Sequence, residues 1–148
     1  MKVMRRCFPI FAVVLAVSFG AAGLDETPLA ELHKRAESAP MGERPALYID
    51  IAERQLKAAD DLYNAGKVDD ARDAVKDVVA SSEKAHDAAV QSGKRLKPTE
   101  IALRKMSIKL RDIKRTLNFE DQPPVQTAAE RLHSLADDLL SHMFSKDK

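Results

Sequence analysis

Proline and glycine punctuate the chain after residue 26 and divide it into five segments in which apolar residues recur every three or four positions. This period places the apolar side chains on one face of an α-helix, whereas a half-buried β-strand would show strict alternation. No segment alternates in that way. The predicted helices cover about 28–38, 45–65, 69–92, 98–117 and 124–144, and residues 118–124 are predicted to form a loop.

Two of the long helices illustrate the apolar stripes. The stripe of the last helix consists of Val125, Ala128, Ala129, Leu132, Leu135, Ala136, Leu139, Leu140 and Met143. The stripe of the preceding helix consists of Leu103, Met106, Leu110, Ile113 and Leu117. Short loops between long helices favour antiparallel neighbours. The sequence therefore predicts an all-α fold, an antiparallel bundle of four long helices with a short N-terminal helix.

The first 22 residues have the pattern of a secretory signal peptide. Three basic residues precede an apolar run and a small-residue end: Lys2, Arg5 and Arg6, then residues 8–19, then residues 20–22. The alternative is an uncleaved anchor, because the uncharged run 7–24 is nearly long enough to span a bilayer. Pro9 and the small residues favour cleavage. We expect a signal peptide at 1–22, a single helical-bundle domain at 23–148, and a periplasmic or secreted protein.

Removal of this signal changes the composition of the chain. The remaining 126 residues carry 21 basic and 23 acidic side chains, a net charge of −2, and no cysteine, because the single cysteine is Cys7. Disulfides and cysteine metal sites are thereby excluded from the exported domain. Cys7 also lies too far from the cleavage point for a lipid anchor. Buried apolar surface must therefore stabilise the domain, and about 126 residues suffice for such a core.

Around Gly66, small residues lie at the helix crossing and in the turn, with apolar residues at the packing positions: Ala59, Gly66 and Ala71, then Leu62, Val75 and Val78. This arrangement resembles a tetratricopeptide repeat. The chain departs from the pattern where Gln55 replaces a large aromatic residue and Glu83 replaces the terminal proline. Glu100 stands where a second repeat would place its glycine. The resemblance therefore implies one helical hairpin of this style and no repeat array.

The rest of the chain offers no catalytic motif. Residues 111–117 and 120–125 are similar to small exported bacterial helical proteins of unassigned function, a resemblance that implies no mechanism. No Ser/His/Asp order, nucleophile elbow or cysteine nucleophile can be built, so we expect neither an enzyme nor a cofactor. Nucleic acid is not an expected partner, because the exported domain is net negative and its aromatic residues are too few for base stacking: Tyr48, Tyr63, Phe119 and Phe144.

One pattern suggests a metal site. Two Glu-x-x-His pairs and one glutamate on each of two other helices resemble the ligand set of a di-iron carboxylate bundle: Glu83/His86, Glu130/His133, Glu53 and Glu100. At about 100° per residue, Glu130 and Glu53 lie roughly 140–150° from the centres of their apolar stripes and His133 roughly 90°. We therefore expect no metal site. His86 alone lies on an apolar stripe, where a core or boundary histidine with a hydrogen-bond partner is expected.

Charge is sorted by helix. Residues 94–117 carry nine basic and two acidic side chains, a net charge of +7, whereas residues 50–90 and 120–142 each carry a net charge of −4. One interpretation is that the basic helix pairs with acidic neighbours across the rim of the bundle. The other is that its basic residues point outward and bind a partner.

The direction of the basic residues favours a binding face. Lys97, Arg104, Arg111 and Arg115 fall within about 40° of one another, with Ile101 and Ile108 beside them. This stripe lies roughly 140° from the Leu103/Leu110 seam, which should place it beyond the reach of flanking helices. We expect a non-catalytic interaction or scaffold protein that binds an acidic protein, a second copy of itself or an anionic membrane surface. A periplasmic holdase-like chaperone and, less favoured, a carboxylate-bundle metal protein are the alternatives.

Overall fold

The computed structural model describes residues 27–145, which form five α-helices and contain no β-strand. The helices are α1 (Leu29–Ser38), α2 (Arg44–Asn64), α3 (Val68–Ser92), α4 (Leu96–Thr116) and α5 (Gln122–Ser145), and one turn of 3-10 helix, Phe119–Asp121, precedes α5. The predicted all-α class is confirmed. The predicted signal peptide at 1–22 lies outside the described residues. No helix of the described range combines the length and the hydropathy that a bilayer span requires.

Two helices begin earlier than the starts that were predicted from their prolines. Helix α4 begins at Leu96, two residues before Pro98, and α5 begins at Gln122, before Pro123 and Pro124. The first four backbone N–H groups of a helix have no acceptor within the helix, so a proline in the first turn removes no hydrogen bond. The predicted loop at 118–124 is therefore shorter than expected and includes the 3-10 turn.

The turn between α2 and α3 depends on Gly66. This glycine has a φ of +75°, its N–H donates to the Tyr63 carbonyl at 3.0 Å, and the Lys67 N–H donates to the Leu62 carbonyl at 2.9 Å. This pair of bonds is the Schellman motif, which satisfies carbonyl groups left without partners at a helix end. The left-handed conformation is costly for any residue that has a Cβ.

Substitution of Gly66 tests this turn. A Cβ added at Gly66 would meet no other atom within 4 Å, so the cost of Gly66→Ala is conformational only. We expect a loss of about 1 kcal/mol in the free energy of unfolding, measured by urea titration. Gly66→Asn should lose less, because asparagine tolerates the left-handed region. Equal stability of the alanine variant and the parent would contradict this assignment.

The helices pack most extensively within two pairs, α2 with α3 and α4 with α5. In the first pair, the Ser81 hydroxyl donates to Gln55 Oε1 at 2.8 Å, and in the second the Ser107 hydroxyl donates to the Ala129 carbonyl at 2.8 Å. These buried polar groups are therefore satisfied within the core. Helix α1 covers α2 through a second apolar cluster: Leu32, Ala36, Tyr48, Ile51 and Ala85.

The two helix pairs share one core, and clefts remain along the seams between them. A cleft of about 480 Å³ lies between α3 and α5, and one of about 460 Å³ lies between α2 and α4. Helix α4 packs mainly on α5 and also contacts α2 and α3.

Candidate partner-binding face

Helix α4 separates apolar and basic side chains as its sequence period predicts. Leu103 and Leu110 are fully buried on the inner face, whereas Ile101 and Ile108 are exposed on the outer face. The basic residues of the predicted stripe also lie on this outer side, with Lys97 and Arg115 exposed and Arg104 and Arg111 half-buried. The remaining question is which of these cations have acidic partners.

Arg104 is held by two carboxylates. Its Nε donates to Glu100 Oε1 at 2.6 Å and its Nη2 donates to Asp137 Oδ1 of α5 at 3.1 Å. The hydrogen bond to Glu100 and then that to Asp137 raise the pKa of the Arg104 guanidinium above its ordinary value. The expectation that the whole stripe lies beyond the reach of flanking helices is therefore wrong at Arg104. The reason is that α5 lies to one side of α4, within reach of a long guanidinium side chain.

Glu100 lies in the first turns of α4 and is a buried acidic residue. Its side chain is buried, and its partner is the guanidinium of Arg104 one turn later in the same helix. A buried carboxylate without a partner would cost several kcal/mol, on the order of the desolvation penalty of an ion. Arg104 therefore stabilises the α4–α5 contact and is not free to bind a partner.

The flank of α4 that faces α2 is also paired. Lys109 Nζ lies 2.8 Å from Asp60 Oδ2 of α2, and this hydrogen bond raises the pKa of Lys109. Pairing of the basic helix with acidic neighbours, the first interpretation of the charge pattern, thus holds for both flanks of α4. It does not hold for the outermost residues.

Two cations of the predicted stripe, Lys97 and Arg111, have no carboxylate within 4.0 Å among residues 27–145. Arg115 pairs only with Asp112 of its own helix, at 3.2 Å, and both side chains are solvent-exposed. An exposed pair of this kind contributes little to stability. Uncompensated positive charge therefore remains on this side of the helix after folding.

Helix α5 adds apolar side chains that the sequence did not assign to a surface. Leu140 and Phe144 are 38% and 69% exposed, although Leu140 was expected in the core stripe. The register follows from the contact of Arg104 with Asp137 and that of Lys114 with Gln126, in which α4 and α5 run in opposite directions. Ile101, one turn before Arg104, therefore lies at the same level along the helix axes as Leu140, one turn after Asp137.

These residues define one surface, which we call the docking face. It comprises the α4 residues Lys97, Ile101, Ile108 and Arg111 and the α5 residues Leu140 and Phe144. Four exposed apolar side chains on two adjacent helices are thus flanked by two uncompensated cations. Exposed large apolar residues that cluster, rather than occur singly, are typical of a contact surface.

The α3/α5 cleft is a concave site that sequence reasoning did not find. Its floor is apolar, formed by Val75, Val79, Pro124 and Ala128. The ion pair between Arg131 and Glu83, at 2.8 Å, bridges the cleft at one end. The residues of this cleft come from segments about 50 positions apart in the sequence, so no local motif predicts the cleft.

His86 lies on α3 and connects it to α5 beside the same cleft. Its Nε2 lies 2.7 Å from Asp138 Oδ2 of α5, and its Nδ1 lies 2.9 Å from Asp87 Oδ1. The expected boundary histidine with a hydrogen-bond partner is therefore found. Ser134 lines the adjoining cleft. Because both ring nitrogens of His86 face carboxylate oxygens, neither is left to accept a proton from the Ser134 hydroxyl.

The side chains of the metal hypothesis have other partners. Glu83 binds Arg131, Glu130 binds Gln126, and His133 lies 3.5 Å from Asp137. Within the described range, no group of three histidine, cysteine, aspartate or glutamate side chains converges on a point that could hold an ion.

Comparison of the chain with protein-family models, with curated proteins and with solved structures gave no match. Its function must therefore be inferred from its own surface.

Proposed function

We propose that this chain is an exported, non-catalytic interaction protein that binds an anionic partner through the docking face. One observation carries the proposal: within residues 27–145, Lys97 and Arg111 have no acidic partner, and exposed apolar side chains of α4 and α5 share their side of the molecule. Solvated surface cations are common, but the combination with clustered apolar residues is typical of a contact surface. Export is inferred from the signal-like pattern of residues 1–22.

The proposal includes the architecture that presents this face. We infer an antiparallel four-helix bundle with α1 packed outside it, in which α2 and α3 form a hairpin of tetratricopeptide style. The fully buried Ala59 and Ala71 on either side of the Gly66 turn support the hairpin, because small side chains allow close approach of two helices. A rigid bundle keeps the six residues of the docking face in fixed relative positions, which lowers the entropy cost of binding.

A binding role is favoured over catalysis by the state of the described histidines. His86 is the most enclosed of them, and both of its ring nitrogens are engaged by aspartates. A general base needs a free nitrogen within reach of the proton that it abstracts. The His86 cluster instead links α3 to α5 across the bundle.

Site-directed photo-crosslinking tests the proposed function. A photoreactive residue at Ile108, which is 52% exposed, should capture a partner in the native envelope. Lys97→Glu with Arg111→Glu should reduce that capture at least tenfold, because charge reversal makes the face repel an anionic partner. Helicity by circular dichroism should stay unchanged.

Two exposed cations on α1 supply the matched control. Lys34 and Arg35 are one lysine and one arginine without a carboxylate within 4.0 Å among the described residues. Lys34→Glu with Arg35→Glu makes the same change in net charge on a helix that packs against α2. If this variant loses capture as completely as the α4 variant, net charge and not the docking face determines binding, and the proposal is wrong.

The alternative function, a holdase-like chaperone, is favoured by the apolar cleft between α3 and α5. A chaperone of this kind would protect an unfolded client at stoichiometric amounts. Its action would depend on Val79 and Ala128 in the floor of the cleft and would survive charge reversal at Lys97 and Arg111.

A further inference from the structure

We propose that the anionic partner is the surface of a bilayer that contains anionic phospholipid, on which the docking face lies flat. This inference rests on the proposed function and names the chemistry of its partner. Three features of the described residues support it: the distribution of charge over the bundle, the shape of the docking face, and the poor fit of that face to a second copy.

The outer sides of α3 and α4 differ in charge. Helix α3 packs mainly on α2 and helix α4 mainly on α5, and α3 and α4 contact each other about as much as α4 contacts α2. On the solvent side of α3, Asp70 and Asp77 are exposed without an ion pair among the described residues, while Asp73 is paired with Lys76 at 3.0 Å. The outer side of α4 carries Lys97 and Arg111. An anionic surface attracts the outer side of α4 and repels that of α3, and this orients the bundle.

The docking face has the side chains of an interfacial helix. Ile101 and Ile108 lie two turns apart on α4, roughly 10 Å along the axis, and Phe144 of α5 lies at the level of Lys97, one turn before Ile101. Apolar side chains of this size enter the boundary between headgroups and acyl chains, while flanking lysine and arginine reach phosphate groups with long flexible stems. The docking face therefore directs its apolar side chains and its cations at the same surface, as binding to anionic headgroups and the acyl chains beneath them requires.

Shape favours lipid over a folded acidic protein. The docking face is the outer side of two adjacent helices, and the clefts described above lie at other helix seams, between α3 and α5 and between α2 and α4. A protein partner would need carboxylates and apolar pockets at matching positions. Lipids rearrange around protruding side chains, so a bilayer needs no such match.

A symmetric contact with a second copy is disfavoured by charge. In a two-fold dimer the same patch lies on both sides of the interface. The docking face offers two basic and no acidic side chains, and the exposed carboxylates nearby, Asp112 and Asp137, are already paired with Arg115 and Arg104. Lys97 and Arg111 would therefore find no free carboxylate in the same patch of a second copy. Like charges brought together without such a partner are destabilising.

The experiment measures partition of the full chain onto vesicles. Phosphatidylcholine vesicles, alone or mixed with phosphatidylglycerol, are separated from free protein by flotation. Residues 1–26 contribute a background level of partition, which is the same for every variant. Above that background, we expect binding to the mixed vesicles only. Raising the salt concentration should reduce the difference, because surface charges are screened.

The variants then assign the binding to the docking face. Each basic residue near an anionic surface increases partition about fivefold, so Lys97→Glu with Arg111→Glu should reduce it at least about 30-fold. Phe144→Ser should reduce it about tenfold without loss of net charge. The control Lys34→Glu with Arg35→Glu should leave partition unchanged.

Three outcomes would overturn the inference. The first is equal partition of the parent and the Lys97→Glu/Arg111→Glu variant onto mixed vesicles. The second is no preference for phosphatidylglycerol. The third is self-association, seen by sedimentation velocity without vesicles and abolished by the same two substitutions, which would assign the face to a second copy.

These failures differ from failure of the proposed function. If the Lys97→Glu/Arg111→Glu substitutions leave vesicle partition unchanged but reduce crosslinking at Ile108, the docking face binds something other than lipid. If neither measurement responds to the two substitutions, the proposed function fails together with the lipid inference.

Discussion

Replacement of Leu110 by alanine is expected to lower the free energy of unfolding by about 3 kcal/mol, which is typical of a leucine truncated in a closed core. Leu110 is fully buried on the inner face of α4, where it belongs to the core shared by α2, α3, α4 and α5. The loss combines the transfer energy of the deleted carbons with the cavity that rigid neighbours leave unfilled. Urea unfolding followed by circular dichroism measures it.

Ile108 provides the matched control, because it lies two positions away on the same helix and is of similar size. Its side chain is half in solvent, so Ile108→Ala should change the free energy of unfolding by less than about 0.5 kcal/mol. A similar loss in both variants would mean that the outer side of α4 is covered by protein. The docking face would then not exist as described.

The second large effect is expected at Arg104. Arg104→Met keeps much of the aliphatic packing but leaves the buried Glu100 carboxylate without its guanidinium and Asp137 without its link to α4. We expect a loss of about 2 kcal/mol, below the range for a fully buried pair, because the Arg104 side chain is about a third exposed. The measurement is the same urea titration at neutral pH.

Arg111→Met is the control for this variant. It removes an arginine from the same outer side of α4, one that has no carboxylate partner among the described residues, and should leave stability within about 0.5 kcal/mol. Addition of Glu100→Gln to Arg104→Met should recover part of the loss, since no buried charge then remains unpaired. Equal losses at Arg104 and Arg111 would show that the ion pairs of Arg104 do not stabilise the fold.

Arg104 and Arg111 show which properties of a side chain a helical wheel can predict and which it cannot. They lie seven residues apart and about 20° apart around α4, and their sequence surroundings gave the same expectation for both. Only Arg104 meets a carboxylate of another helix, because Asp137 of α5 lies at its level along the axis. A wheel gives the direction of a side chain but not the position of the neighbouring helix.

Leu140 shows the same limit from the apolar side. It continues the three-four spacing of α5 and was expected in the core, yet it is partly exposed. It lies at the edge of the stripe, and the α4 residue at its level along the axis is Ile101, which is itself exposed. Burial at the edge of a stripe depends on what the adjacent helix places there, which periodicity cannot specify.

The sequence by itself determined that the chain is helical, where most helices end, and that Ile101 and Ile108 face away from Leu103 and Leu110. These properties depend on interactions within a few residues: apolar spacing, proline at helix starts, and glycine in left-handed turns. The tertiary structure decided which charges are neutralised. Arg104 and Asp137 are 33 residues apart and His86 and Asp138 are 52 apart, so their contacts arise only when separate helices pack. Lys97 and Arg111 belong to the proposed docking face because that packing left them without a carboxylate within residues 27–145, on the side to which a different helix contributes exposed apolar side chains.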